Sequence, residues 1–282
     1  MNIHTHDVNH PTLIAFLGGG AMAGALIKGL LGAGWPSDCL RASDPFEKQR
    51  HSLKEQFDIP VFADNREAVQ GAHVLLLAVK PGVITEVLEE VAPLLTPEVL
   101  VLSIAAGIPL TTLASRLPPG QPLMRVMPNT PALVGAGISV LLPRPGLTRQ
   151  HRDLAHQIMG AVGMVEEIDN EALMDGVTGL SGSGPAYVYL MAEALSDGGV
   201  ASGLPRALAD RLAARTLLGA AKLLEESGLH PGVLKNQVTS PGGTTIAGLE
   251  PLEKAGVRGA IMAAVMAATR RSRELGGGHL KT

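Results

Sequence analysis

The chain has 282 residues, 46% of them hydrophobic and 17% charged, with a formal net charge of −3. That length and apolar share suffice for one large or two modest domains with a real core, and the absence of any basic run excludes nucleic acid as an expected partner. Cys39 is the one cysteine, so no intramolecular disulfide can form and a reducing, cytoplasmic setting is expected; no apolar stretch reaches the ~20 residues of a membrane-spanning helix.

The opening MNIHTHDVNH is polar and reads as part of a solvated, flexible tail over residues 1–11, not as a signal segment. His4, His6 and His10 could hold a metal there, but a solvated tail is the simpler reading. The following LIAFL (13–17) is a short apolar run, expected as a buried strand. A glycine turn and the small-residue helix AMAGALIKGLLGAG come next, then a second strand, CLRAS (39–43), and a polar helix, PFEKQRHSLKEQF. HVLLLAV (73–79) and VLVLSI (99–104) are continuous apolar runs, as strands buried on both faces should be. VITEVLEEVAPLL lies between them with helical spacing. PLMRVM, GISVLL and GMVEEI extend the strand series to about residue 168. This alternation predicts an α/β fold with a mostly parallel, doubly wound sheet.

Strand-like runs stop after about Asn170. PAYVYLMAEALSDGG, PRALADRLAARTLLGAAKLLEES and VRGAIMAAVMAATRRSREL read as helices, two of them with proline in the first turn, where its missing N–H costs nothing. The expected domains are therefore 1–170, α/β, and 171–282, all-α, with the terminal GGGHLKT as a frayed tail.

Six stretches carry candidate chemistry. In LGGGAMAG, Gly18, Gly20 and Ala23 fit G-x-G-x-x-G/A at a first strand–helix junction. The first glycine permits the tight turn, the second lets backbone approach a pyrophosphate, and the alanine keeps helix close to sheet. The helix start then offers free N–H groups and a positive dipole end to phosphates. Asp44, after the second strand, reads either as a ribose ligand that favours NADH, because a carboxylate repels a 2′-phosphate, or as the start of an Asp-Pro turn; Arg41 and Lys48 are close enough in sequence to offset the repulsion. AVKPG (78–82) and SIAAG (103–107) both follow strands, where ligands of open α/β sheets lie. RVMPNTPALVGAG (125–137) is a rigid loop, structural or ligand-facing. In LSGSGPAY, a glycine–serine hinge leads into a helix with Ser183 as expected cap and Pro185 in its first turn. In VTSPGGTT (238–245), two glycines before a short helix would form a backbone nest for a carboxylate, or simply link two helices. His73 and His230 have no partners at zinc spacing.

Taken together and in this order, LGGGAMA, AVKP, SIAAGIP, MPNTPA, TGLSGSGPAY, HPGVLK and VTSPGGTTIAGLE resemble pyrroline-5-carboxylate reductases from about Leu13 to Leu275. The resemblance implies a Rossmann-like domain, an α-helical domain that interlocks into a homodimer and leaves a higher oligomer open, and reduction of the small molecule 1-pyrroline-5-carboxylate to L-proline by NADPH or NADH. It implies cofactor contacts at Gly18, Gly19, Gly20, Ala21, Met22 and Ala23, at Asn65, at Ala78, Val79, Lys80 and Pro81, and at Ile104, Ala105 and Ala106. Two further implied cofactor contacts depart from the family: Asp44 stands where it often has a small hydroxyl residue, which leaves the choice between the two nicotinamides open, and Gln237 stands where some members have Asn. The implied substrate contacts are Glu171, Ser240, Gly242, Gly243, Thr244 and Thr245, with Thr245 as hydrogen-bond donor to the imine nitrogen. Two other readings remain: a β-hydroxyacid-type dehydrogenase, which would need a catalytic lysine that neither Lys222 nor Lys235 matches, and a nucleotide-sensing regulator without activity, which would have no need of SPGGTT.

Overall fold

A computed structural model describes residues 12–277. The expected tail over residues 1–11, with His4, His6 and His10, and the last five residues lie outside the described part. By packing, residues 12–182 together with 268–277 form one compact unit, and Ser183–Ala267 forms a second. The division falls later than the expected 170/171 boundary because the turns just after Asn170 pack with the sheet.

The first unit runs β1 (Ile14–Leu17), α1 (Ala21–Gly32), β2 (Leu40–Ser43), α2 (Glu47–Phe57), β3 (Val61–Phe62), α3 (Asn65–Val69), β4 (Val74–Leu77), α4 (Ile84–Val91), β5 (Leu100–Ser103), α5 (Leu110–Ala114), β6 (Leu123–Met127), β7 (Gly137–Pro143), α6 (Arg149–Gly160), β8 (Gly163–Glu167) and the short α7 (Met174–Val177). Among the described residues the sheet has eight strands in the order β3-β2-β1-β4-β5-β6-β7-β8. Every neighbouring pair is parallel except β6–β7, as the apolar runs predicted.

Period-two alternation sends side chains to both faces. Ile14, Phe16, Val74 and Leu76 pack with Leu26, Ile27 and Leu30 of α1 and Ile158 of α6. Ala15, Leu17, Leu75 and Leu77 pack on the other face with Ile84 and Leu88 of α4 and Leu113 of α5. Each buried Leu, Ile or Phe contributes about 1.5–3 kcal/mol, so these two layers supply most of what holds the sheet. α1 stops where Gly34 adopts φ +91°, with the N–H groups of Gly34 and Trp35 returning to the carbonyls of Leu31 and Leu30.

The second unit holds α8 (Gly184–Ala201), α9 (Arg206–Ser227), α10 (Pro231–Gln237), α11 (Thr244–Lys254) and the first turns of α12 (Val257–Leu275), whose last turns belong to the first unit. Ser183 does not cap α8. A π-turn over Thr178–Gly182 runs straight into that helix, so the Ser183 backbone is already helical (φ −88°, ψ −22°) and its hydroxyl takes no cap bond. Pro185 does sit in the first turn. The two glycines do precede a helix, which Thr244 and Thr245 open. The start of the expected frayed terminus is ordered, since Gly276 and Gly277 close turns on Ser272 and Glu274.

α8 and α9 pair through small residues, with Gly199 against Ala209, and through Ser196, which donates to Asp210 (2.5 Å) and accepts from Arg206 (3.0 Å). Long apolar side chains elsewhere in this unit stay bare in the single chain: Leu190 is 66% exposed, Met262 65% and Val238 66%. Among the described residues no helix is long and apolar enough to cross a membrane, and no group of three or more His, Cys, Asp or Glu side chains is placed to hold a metal ion.

Cys39 is free and buried just before β2. Burial first, and then the neighbouring Asp38 carboxylate, push its thiol pKa up, so it stays in the unreactive thiol form. A chromogenic disulfide reagent at pH 7.5 should label the folded chain at least about tenfold more slowly than the urea-unfolded chain; equal rates would show an open, ionised thiol.

Candidate active site

Four parallel strands end level. Leu17 is in register with Ser43 and with Leu77, and Leu77 with Ser103. The turns that follow β1, β2, β4 and β5 therefore share one sheet edge, at the point where the chain order reverses from β1 towards β2 on one side and β4 on the other. Ligands of doubly wound sheets lie at this place.

The β1–α1 loop is built from glycines for separate reasons. Gly18 has φ +94°, and a Cβ there would lie 2.8 Å from the Ala78 carbonyl oxygen. Its N–H donates to Ser43 O at 2.8 Å, and Ala78 N–H donates to Leu17 O at 2.8 Å. No other residue fits that crossing of backbones. At Gly19 a Cβ would lie 2.6 Å from a Leu53 methyl of α2. Gly20 is different: nothing lies within 4 Å of an added Cβ. It is the N-cap of α1, with no side chain capping the helix. The first-turn N–H groups of the exposed Ala21 and half-buried Met22 thus stand at an open cradle, and fully buried Ala23 seats the helix on the sheet. Uncapped N–H groups at the positive end of a helix suit a pyrophosphate, and the space a Gly20 side chain would fill is left for it. The loop fits a dinucleotide.

Asp44 is only 8% exposed. Its Oδ2 accepts from Gly19 N–H and its Oδ1 from Phe46 N–H, both at 2.9 Å. The carboxylate thus clamps a glycine 25 residues away and closes its own turn. Arg41 is drawn off to the Gln70 carbonyl (2.9 Å). Arg50, which has no motif to mark it, donates to the carbonyls of Asp44 (2.9 Å) and Pro45 (2.8 Å) and is the cation seated on this turn. Lys48 is exposed on α2. Gln49, likewise unmarked, donates to the Gly19 carbonyl. Asn65 accepts from Ser43 Oγ (2.7 Å) and donates to Glu90 (2.8 Å), so it links β2 to α4.

Beyond β4, Ala78 and Val79 are half-buried and Lys80 and Pro81 exposed. Beyond β5, Ile104 N–H donates to Leu77 O at 3.1 Å, Ala105 is buried and Ala106 faces outward. Asn129 of the MPNTP loop is a structural tie: it donates to Ser181 O (3.2 Å) and accepts from Ile138 N–H (2.9 Å). Glu171 belongs to the first unit, where its Oε1 takes Leu110 N–H (2.7 Å) and buried Arg125 (3.1 Å).

In the second unit, residues 238–243 form the turn from α10 into α11, Thr244 and Thr245 open α11, and Gln237 is exposed at the end of α10. Gly242 takes φ +67°, and Gly243 N–H closes on Ser240 O at 3.1 Å. Gly243 is the N-cap of α11, again with no side chain capping the helix. α1 in the first unit and α11 in the second thus each begin after a glycine with no side chain capping the helix.

Residues 171–275 match the family model described as pyrroline-5-carboxylate reductase dimerisation, and residues 13–107 that described as NADP oxidoreductase coenzyme F420-dependent. The pyrroline-5-carboxylate reductase of Glycine max is 44% identical over 263 residues, covering 93% of this chain and 95% of that protein. The chain belongs to the pyrroline-5-carboxylate reductase family. Among solved members, the Coxiella burnetii reductase superposes with a TM-score of 0.88 at 35% identity, over 94% of this chain and 99% of that one. The Plasmodium falciparum enzyme, solved with NADP bound, gives 0.85 at 32% identity over 94% and 98%.

The double duty of Asp44 gives a test with two readings. Asp44→Ser leaves the buried Gly19 N–H without its acceptor, so urea unfolding should show a loss of about 1–3 kcal/mol. Removing the charge should also move the NADPH-to-NADH efficiency ratio towards NADPH by about fivefold, the scale of one screened charge pair. A stability loss with an unmoved ratio would leave Asp44 as a loop clamp alone.

Proposed function

We propose that this chain reduces 1-pyrroline-5-carboxylate to L-proline with NADPH or NADH. The observation that carries the reading is the similarity to reductases of this family along 93% of the chain. When bound, the reduced nicotinamide supplies the hydride. Everything the chain itself adds is binding, orientation and polarisation.

Gly18 to Ala23 cradle the pyrophosphate on the α1 first turn. Asp44 and Asn65 border the adenosine side, and Ala78–Pro81 and Ile104–Ala106 present backbone along the rest of the cofactor. Ser240, Gly242, Gly243, Thr244 and Thr245 hold the substrate carboxylate on the α11 first turn, and Gln237 is a further cofactor contact; the positive φ of Gly242 and the uncapped N–H groups support the role of the turn. Thr245 donates a hydrogen bond to the imine nitrogen. A threonine hydroxyl is too weak an acid to protonate the ring, so it polarises and positions the C=N bond, and the proton comes from water. Fixing the ring in this way can supply up to ~7–11 kcal/mol of barrier lowering in the best cases. The bare apolar helices of the second unit support a homodimer formed through them, which leaves room for a larger assembly, and a cytoplasmic site of action fits the buried free thiol. The β-hydroxyacid reading gains nothing: Lys222 is spent on an exposed helix pair with Glu226 (3.5 Å).

Purified chain with the cyclic imine and each reduced nicotinamide in turn tests the reaction: oxidation of the nicotinamide with proline formed in equal amount is expected. Thr245→Ala should lower kcat by about tenfold or more, the worth of one polar contact made stronger at the barrier top, while cofactor affinity holds within about twofold. Unchanged kcat would remove Thr245 from the mechanism.

A further inference from the structure

We infer that the turn over 171–177 is a brace for the loop that follows β5, with Glu171 and Asp175 as its two positioning residues. This rests on the reading of Ile104–Ala106 as cofactor contacts. The brace starts from a charge that cannot stand alone. Arg125 lies in β6, in register with Ser103 at the end of β5, and is 5% exposed. A guanidinium taken out of water needs a partner, and the ion pair available to it is with Glu171 Oε1, at 3.1 Å. The same oxygen accepts the N–H of Leu110 at 2.7 Å, from a residue 61 positions away. Leu110 is the first residue of α5, so this one oxygen ties the far end of the 104–109 loop to the middle of the sheet.

One turn further on, Asp175 grips a different element. Its Oδ1 accepts from the buried Ser272 hydroxyl at 2.7 Å, and its Oδ2 lies 3.8 Å from Arg273 Nε. Both partners are on the closing turns of α12, which pack along the same loop. Gly107 takes φ +76°, and a Cβ on it would lie 3.5 Å from Leu275 Cβ; one on Gly276 would lie 2.9 Å from the Gly107 carbonyl oxygen. Met174, between the two acids, is fully buried and anchors the turn. The loop is thus held at its start by Leu77, at its end by Glu171, and along its flank by a helix end that Asp175 fixes. Glu171 Oε1 has two donors already, so through that oxygen the side chain acts on the cofactor by way of the loop, in place of the substrate contact that the resemblance implies.

The test uses the full-length chain and its Glu171→Ala, Glu171→Gln and Asp175→Asn variants, all checked by thermal melting. Two measurements are made: fluorescence titration with reduced nicotinamide, and steady-state reduction of the cyclic imine. The Gln variant keeps a neutral acceptor for Leu110 N–H; the Ala variant keeps none. Glu171→Ala should raise cofactor Kd and KM by about tenfold with imine KM within about twofold, as expected when a binding loop shifts without losing a contact group. Glu171→Gln should restore cofactor Kd to within about threefold of wild type, and Asp175→Asn should weaken it by about threefold. A rise in imine KM with unchanged cofactor Kd would place Glu171 on the substrate and overturn the brace, as would a failure of Gln to rescue or an unchanged Kd in both Glu171→Ala and Asp175→Asn. Should Glu171→Ala fail to fold, Asp175→Asn, which leaves Arg125 paired, decides by the same criteria. The titration needs no turnover, so a failed brace is distinguishable from a failure of the proposed reaction, which would show as wild-type protein that binds nicotinamide without reducing the imine.

Discussion

The constraint on which the cradle in the first unit depends is the crossing of backbones at Gly18. Strands β1 and β4 run side by side and end level, and the chain must turn out of β1 directly across the carbonyl of Ala78. Only a residue without a side chain, at positive φ, makes that turn. From it follow the height at which α1 begins, the direction in which its first N–H groups point, and the alignment of the turns after β2, β4 and β5 along the same edge. The cradle depends on this registration as much as on its own glycines.

The ionised groups around the cradle mostly serve backbone. Asp44 is spent on Gly19 and Phe46, Arg50 on two carbonyls, and Glu171 on Leu110 and Arg125. What is left open is a set of helix-start N–H groups in each unit. That arrangement suits hydride transfer, in which the protein orients and polarises and the cofactor carries the reactive electrons. A fold built for strong acid–base work would instead leave a titrating side chain free over the reacting atoms.

Much of the scaffold was legible in the sequence because it is local. Continuous apolar runs such as Leu75–Leu77 mark doubly buried strands, and the spacing of Gly18, Gly20 and Ala23 marks the turn and helix start. Short helices such as α3 and α5 span barely one turn and have too few residues for a period to register. The cap expected at Ser183 failed because the preceding π-turn already supplies helical backbone, a tertiary effect with no sequence mark. The turn that Asp44 closes on Phe46 was legible as an Asp-Pro pair, but its clamp on Gly19 and the roles of Arg50 and Glu171 were hidden for the same reason: the partners lie 25 residues away for Asp44 at Gly19 and 46 for Glu171 at Arg125, or are carbonyls any residue could offer. The family resemblance supplied the reaction, and the residues alone supplied an anion-binding fold.

The most direct measurement of the central claim is the fate of one hydrogen. The chain is incubated with the cyclic imine and with reduced nicotinamide carrying deuterium on one or the other face of its C4 carbon, and the proline formed is weighed by mass spectrometry. The account predicts proline heavier by one deuterium, at C5, from one face only, because the cradle fixes which side of the ring is presented. Unlabelled proline from both, or no proline at all, would contradict it.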